Sequence, residues 1–400
     1  MKGARLRVSQ VSTLLLGIAV WTMSMSAQTE TIIHTFTGKG DGAGPSNGAL
    51  VRDANGNFYG TTRGGGLNGG GTVYELSPAA NGGWAEQILY NFSPTNNGGY
   101  YPDGLVVSDG KGNFYGTTAF GGANSAGTLF ELTPASSGTW TEKTLYNFPG
   151  GSSLQTAFGS LTFDAAGNIY GLAEGGKNGA GVAYELMPGS NGNWNEKILH
   201  TFTGKNDGTV MYGSSVVLDQ AGNVYGVAAN GPNDYGIIFE LVHGSSGAWT
   251  EKILYAFTGA TDGGGPYPSV VFDQAGNLYG AANFGVYKLT PQSNGTWTQK
   301  LIYTFKGGSN GAYPNSQLTI DQAGNFYGTT RSGGYHRGTV FQLSPGTNGT
   351  WSEKILHRFA PDGVDGVYPG GGLTFDTSGN LYGTSGGGAS NAGIVFKITP

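Results

Sequence analysis

The chain contains no cysteine, so neither disulfide staples nor thiol chemistry enter its design. Charge is scarce. Asp, Glu, Lys and Arg together make up 11% of 400 residues, and the formal net charge is −5. So sparse and mildly acidic a chain argues against nucleic-acid binding, which needs a clustered basic face. Long apolar runs are missing after residue 30, so no membrane span is expected there. A 3.6-residue apolar period is missing over the same stretch, which removes the α-helix as a building block. Glycine is plentiful at 76 residues but lacks the three-residue period of collagen. Aromatics at 12%, regularly spaced, argue against disorder.

One phrase occurs seven times: DANGNFYG at Asp53, then copies starting at Asp109, Asp164, Asp219, Asp273, Asp321 and Asp376. An apolar run precedes each Asp and an apolar–Tyr–Gly strand follows each Asn. Two strands joined by a short Gly-containing loop read as a hairpin. The Asp carboxylate is expected to accept backbone N–H groups inside the turn. A calcium reading is the weaker one, because the alternating ligands and distal Glu of a dedicated calcium loop are missing.

Four strand-like pieces make up each repeat, in the first copy GALVRD, NFYGTT, GTVYELSP and WAEQILYNF. The Gly after the motif Tyr falls at 60, 116, 171, 226, 280, 328 and 383, a step of about 55 residues with one short step of 48. A period of this size with four strands per unit predicts a β-propeller, since one such unit cannot bury both faces alone. The expected fold is all-β, a seven-bladed β-propeller of four-stranded antiparallel blades. The short step lies in blade five, whose loop between strands two and three is cut to AANFGVYKL. The last repeat stops after its third strand, and ETIIHTF at residues 30–36 matches the fourth strand of the other blades. Blade seven is therefore expected to combine residues 371–400 with strand 30–36, closing the ring and covering an edge.

Residues 1–27 have the layout of a secretory signal peptide: Lys2, Arg5 and Arg7, a short apolar stretch from Val11 to Trp21, then small residues. Cleavage near Ala27 would leave a propeller domain of residues 28–400. Loss of the three basic residues would move the formal charge from −5 to −8.

Three phrases together, D-x-x-G-N-x-Y-G, the Gly-rich G-T-V-F-x-L-x-P and W-x-E-K-x-L-Y-x-F, resemble the GloVer tandem-repeat proteins. The resemblance covers residues 30–400 and is looser to NHL-type propellers. It implies a bacterial extracellular repeat domain and no particular reaction. Family members carry differing C-terminal anchors. No anchor tail is read here, so the expected location is secreted, extracellular or periplasmic, and surface attachment is left open.

Seven copies of one residue are architecture, so a site must break the repeat. His34, His200 and His357 stand where other blades have Tyr90, Tyr146, Tyr255 and Tyr303, and read as aromatic replacements on an outer strand. Glu86, Glu142, Glu196, Glu251 and Glu353, with Gln299 in blade five, read as a solvated face that discourages edge pairing. No nucleophile–His–Asp set, metal-ligand set or cofactor motif stands out, so no catalytic residue, metal or cofactor is assigned. The loops from strand four back to strand one are more distinctive, with Tyr-Pro at Tyr101, Tyr267, Tyr313 and Tyr368. Arg331 and His336 lie in the blade-six loop between strands two and three, expected on the same face. These six residues form the candidate binding set, suited to a sugar ring because Tyr offers an apolar face and a polar tip. The leading expectation is an extracellular binding module for a polysaccharide or protein ligand. A secreted glycan-active enzyme and a purely structural surface protein are the alternatives. A cluster of carboxylates or His at the axis would favour the enzyme. An aromatic-lined, carboxylate-poor face would favour binding.

Overall fold

The computed structural model describes residues 28–400 apart from Asn47, Asn96, Asn97, Ser152, Phe158, Tyr212, Ala260 and Pro268. The leader lies outside the described residues. Among the latter there is no α-helix, and none long and apolar enough to cross a membrane.

Seven antiparallel sheets follow one another along the chain, six built from consecutive strands and the seventh completed by the N-terminal strand. In blade one the strands are Val51–Arg52, Phe58–Gly64, Thr72–Pro78 and Trp84–Asn91. The fold is a seven-bladed β-propeller. The innermost strand departs from the sequence expectation. It is broken into a two-residue piece and a separate lead-in segment, Ala43–Pro45 in blade one and Gly99–Pro102 in blade two, both paired with strand two.

The repeated Asp closes its hairpin as the sequence implies. Asp53 Oδ1 accepts the Asn55 and Asn57 N–H groups at 2.9 and 2.8 Å. Its Oδ2 accepts Asn57 Nδ2 and the Tyr59 hydroxyl at 3.0 and 3.1 Å. Four donors aim their positive ends at this carboxylate and hold the turn. In Asp273, Asp321 and Asp376, burial acts upward on the carboxyl, but the same hydrogen bonds outweigh it and hold it below the usual range. The motif Gly has a packing reason. A Cβ on Gly116 would sit 2.6 Å from the Phe130 ring, which lies fully buried across strand two.

The core is divided into seven clusters, one at each seam between neighbouring blades. The Trp that opens strand four packs backwards: Trp84 lies 5.8 Å from Tyr382 of blade seven, and Trp297 6.4 Å from Tyr225 of blade four. Ring closure is by the N-terminal strand. Thr29–Thr35 pairs antiparallel with Ile394–Thr399, and Ile33 and Phe36 enter the cluster between blades seven and one.

The strand-four carboxylates are not on a solvated face. Strand four alternates, and the side chains of Glu86 and Glu251 are only 17% and 13% exposed, facing the preceding blade. There each meets the Tyr or His of that blade's strand four. Tyr90 donates to Glu142 at 3.4 Å, Tyr303 donates to Glu353 at 2.9 Å, and Tyr146 donates to Glu196. His34 Nε2 lies 3.3 Å from Glu86, His200 Nε2 3.9 Å from Glu251, and His357 Nε2 3.9 Å from Glu30 of the closing strand. Burial pushes Glu30, Glu86 and Glu251 up to about 7 and lowers His34 and His200.

Candidate binding face

The lead-in segments and the loops between strands two and three meet on one face. At several seams they are stitched together by backbone hydrogen bonds. Gly44 N–H donates to Ala392 O at 2.8 Å, Tyr101 to Gly70 at 2.7 Å and Tyr368 to Arg337 at 2.7 Å. In every case the donor enters a blade and the acceptor lies in the preceding blade's loop. To turn its N–H this way the residue leaves the ladder. Tyr100 pairs with Phe120 and Pro102 with Thr118, while Tyr101 between them is skipped. Its φ is 56°, and Tyr313 and Tyr368 take 57° and 51°. Blade one fills this position with Gly44 at 64°. A left-handed conformation costs an L-residue about 1–2 kcal/mol, so three bulky side chains sit where glycine would be cheaper.

A cavity of ≈ 970 Å³ lies on the ring axis at this face, since every blade contributes lining: Ser46, Leu105, Ser160, Ser215, Ser269, Ser316 and Gly370 among them. Glycine, serine and polar side chains are the most numerous lining residues, with Leu105, Met211 and Val367 adding apolar surface. Among the described residues Asp103 is the one acidic residue in the lining, and no histidine is present there. Asp103 is held by Arg63, whose Nε lies 3.2 Å from Oδ1.

Of the six residues singled out in the sequence, three line this cavity: Tyr267, Tyr368 and Arg331. The other three do not. Tyr101 packs its ring against Tyr100 and Phe120 at centroid distances of 5.0 and 6.1 Å. Tyr313 is 51% exposed, and His336 is exposed next to Arg337, the acceptor for Tyr368. None of the four tyrosine rings is buried. Burial raises the Tyr267 hydroxyl above its ordinary value, while the nearby Arg331 charge pulls it back. Sequence reasoning missed Arg63, Asp103 and Asn283, which also line the cavity. Arg63 could have been found, because FYGTTR at 58–63 and at 326–331 are identical and end in Arg63 and Arg331. Their partners differ. Asp103 follows Pro102 and pairs with Arg63, whereas Gly370 follows Pro369, and among the described residues Arg331 makes no ion pair.

The chain matches the Gloeobacter/Verrucomicrobia repeat over residues 17–239 and 211–400 and belongs to that family. No curated protein matches the sequence. Among solved structures, a streptogramin B lyase is 15% identical, with 93% of this chain and 97% of that one covered and a TM-score of 0.55. The extracellular domain of a putative hybrid two-component system, BT4673 from B. thetaiotaomicron, is 14% identical with a TM-score of 0.57, covering 94% of this chain and 42% of that one. At such identities the likeness is one of fold.

Proposed function

We propose that the protein is an exported binding module that takes up a carbohydrate chain at its axial cavity. The observation that carries this reading is the composition of the cavity: two tyrosines, small polar groups, and a single acid already paired. A hydrolytic site would need a free acid and base within reach of one bond, and the lining supplies neither. Tyr267 and Tyr368 offer ring faces for stacking and hydroxyls for hydrogen bonding. Two arginines against one aspartate leave a net positive charge on an otherwise acidic protein. The preferred sugar therefore carries a carboxylate, which the guanidinium of Arg331 can grip through two parallel hydrogen bonds.

Two structures of similar fold are extracellular domains of putative hybrid two-component systems, which supports work outside the cytoplasm. N-terminal sequencing of the exported protein tests that part: a start at or near Gln28 is expected, and retention of Met1 would contradict it. For the ligand, residues 28–400 are screened on an array of neutral glycans, uronate-containing glycans and peptidoglycan fragments. Binding concentrated on the acidic sugars is the expected result. A blank array, or binding indifferent to charge, would sink the proposal.

A further inference from the structure

The seventh residue of strand four, four residues after the Glu, is Tyr in some blades and His in others, and the choice follows what surrounds it. The four blades with Tyr present at most one carboxylate to the ring. Tyr90, Tyr146 and Tyr303 meet Glu142, Glu196 and Glu353 of the next blade, and the loop position seven residues on is Asn97, Ser153 or Asn310. Tyr255 meets Asp262 of its own loop at 3.0 Å, and the next blade there has Gln299 in place of Glu. The three blades with His present two carboxylates, one from the following loop and one from the next blade. The sets are His34 with Asp41 and Glu86, His200 with Asp207 and Glu251, and His357 with Asp365 and Glu30. Two acids gathered around one ring in three separate seams, and imidazole in each of those seams and no other, is the composition of a cation site and not of an aromatic clip.

We infer that these three seams are divalent metal sites, each built from one histidine nitrogen and two carboxylate oxygens. In each set the ligand atoms lie within 4.8 Å of one another. His200 Nε2 is 3.3 Å from Asp207 Oδ2 and 3.9 Å from Glu251 Oε2. His357 Nε2 is 3.1 Å from Asp365 Oδ2 and 3.9 Å from Glu30 Oε2. Tetrahedral bonds of about 2.0–2.2 Å place ligands ~3.3–3.6 Å apart, so small side-chain adjustments suffice. Glu30 Oε1 and Glu251 Oε1 are buried without a hydrogen-bond partner, and His34 Nε2 and Glu86 Oε1 have only each other, at 3.3 Å. Such atoms are costly to bury unless something satisfies them. The mixed nitrogen–oxygen set selects zinc or a similar transition ion over calcium, which prefers six or more oxygens.

The placement gives the metals a task. The closing strand Thr29–Thr35 supplies Glu30 to one site and His34 to another. It is thereby clipped to blade six on one side and to blade one on the other. Metal binding would lock the seam at which the ring is joined.

The test is zinc binding by residues 28–400 after chelation and dialysis, read by calorimetry and by thermal melting. The comparison is a triple variant, His34→Tyr, His200→Tyr and His357→Tyr, which restores the ring that the other four blades use. The inference requires three more zinc equivalents in the parent chain than in the variant, a melting temperature that rises with zinc only in the parent, and no comparable rise with calcium. If the tyrosine variant folds poorly, Glu86→Gln with Glu251→Gln, the side chain that blade five already carries at Gln299, removes two sites. Equal zinc stoichiometry in parent and variants would overturn the inference.

Discussion

The hydroxyl of Thr374 in blade seven donates to the carbonyl of Leu50 in blade one at 2.5 Å, across 324 residues of sequence. The same bond joins Thr162 to Val216 and Thr319 to Leu373 at internal seams, both at 2.6 Å. The joint between the chain's two ends is therefore built like the joints between consecutive repeats. Its extra element is the N-terminal strand, which completes blade seven.

Removing residues 28–36 should lower the melting temperature markedly or cause aggregation, because the edge of Ile394–Thr399 becomes unpaired. A milder version is Phe36→Ala. Phe36 is fully buried at the closing seam, so about 3–5 kcal/mol of stability should be lost in denaturant unfolding. A truncated protein that melts like the parent would show that the strand is an ornament.

Tyr313→Gly and Tyr368→Gly should each change stability by less than about 1 kcal/mol. Glycine relieves the left-handed strain but adds freedom to the unfolded chain, and the two effects are of similar size. Gly44 already holds this conformation in blade one. Losses of several kcal/mol would mean the rings are packing elements, contrary to their exposures of 51% and 53%.

Glu353 should confer a pH dependence of defined sign. Burial raises its carboxyl from 4.5 to about 6, although the Tyr303 hydrogen bond and the Arg358 charge oppose the rise. The folded state then holds the proton more tightly than the unfolded chain. Its stability contribution is present at low pH and is lost as pH rises from about 4.5 through 6. Glu353→Gln, which copies Gln299, should therefore raise the melting temperature more at pH 7.5 than at pH 4.5. A difference that is flat with pH, or larger at low pH, would show that the seam does not desolvate this group.

Much of the architecture was legible because each repeat states its rules seven times. The turn Asp, the Gly beneath the strand-three aromatic and the missing fourth strand all follow from residues that recur or fail to recur. The strand-four glutamates were misread for a physical reason. Alternation shows which residues share a strand face, but not whether that face meets water or the next blade, and Glu86 and Ala85 look equally outward in the sequence. The break in the innermost strand was hidden too, since left-handed tyrosines carry no signal that Tyr-Pro alone reveals. Half the candidate residues line the cavity. Tyr267, Tyr368 and Arg331 do, whereas Tyr101, Tyr313 and His336 share the face without sharing the axis, because radial position depends on how each lead-in segment bulges.

The central claim is that the axial cavity grips an acidic sugar through Arg331. It is tested most directly by titrating residues 28–400 with an oligogalacturonate at low and moderate salt, beside Arg331→Ala. The account predicts saturable binding that weakens with salt and a dissociation constant at least ~10-fold higher in the variant, equivalent to about 1.4 kcal/mol. The variant's melting temperature should stay unchanged, since Arg331 is exposed and makes no ion pair among the described residues. No binding by the parent, or equal binding by parent and variant, would contradict it.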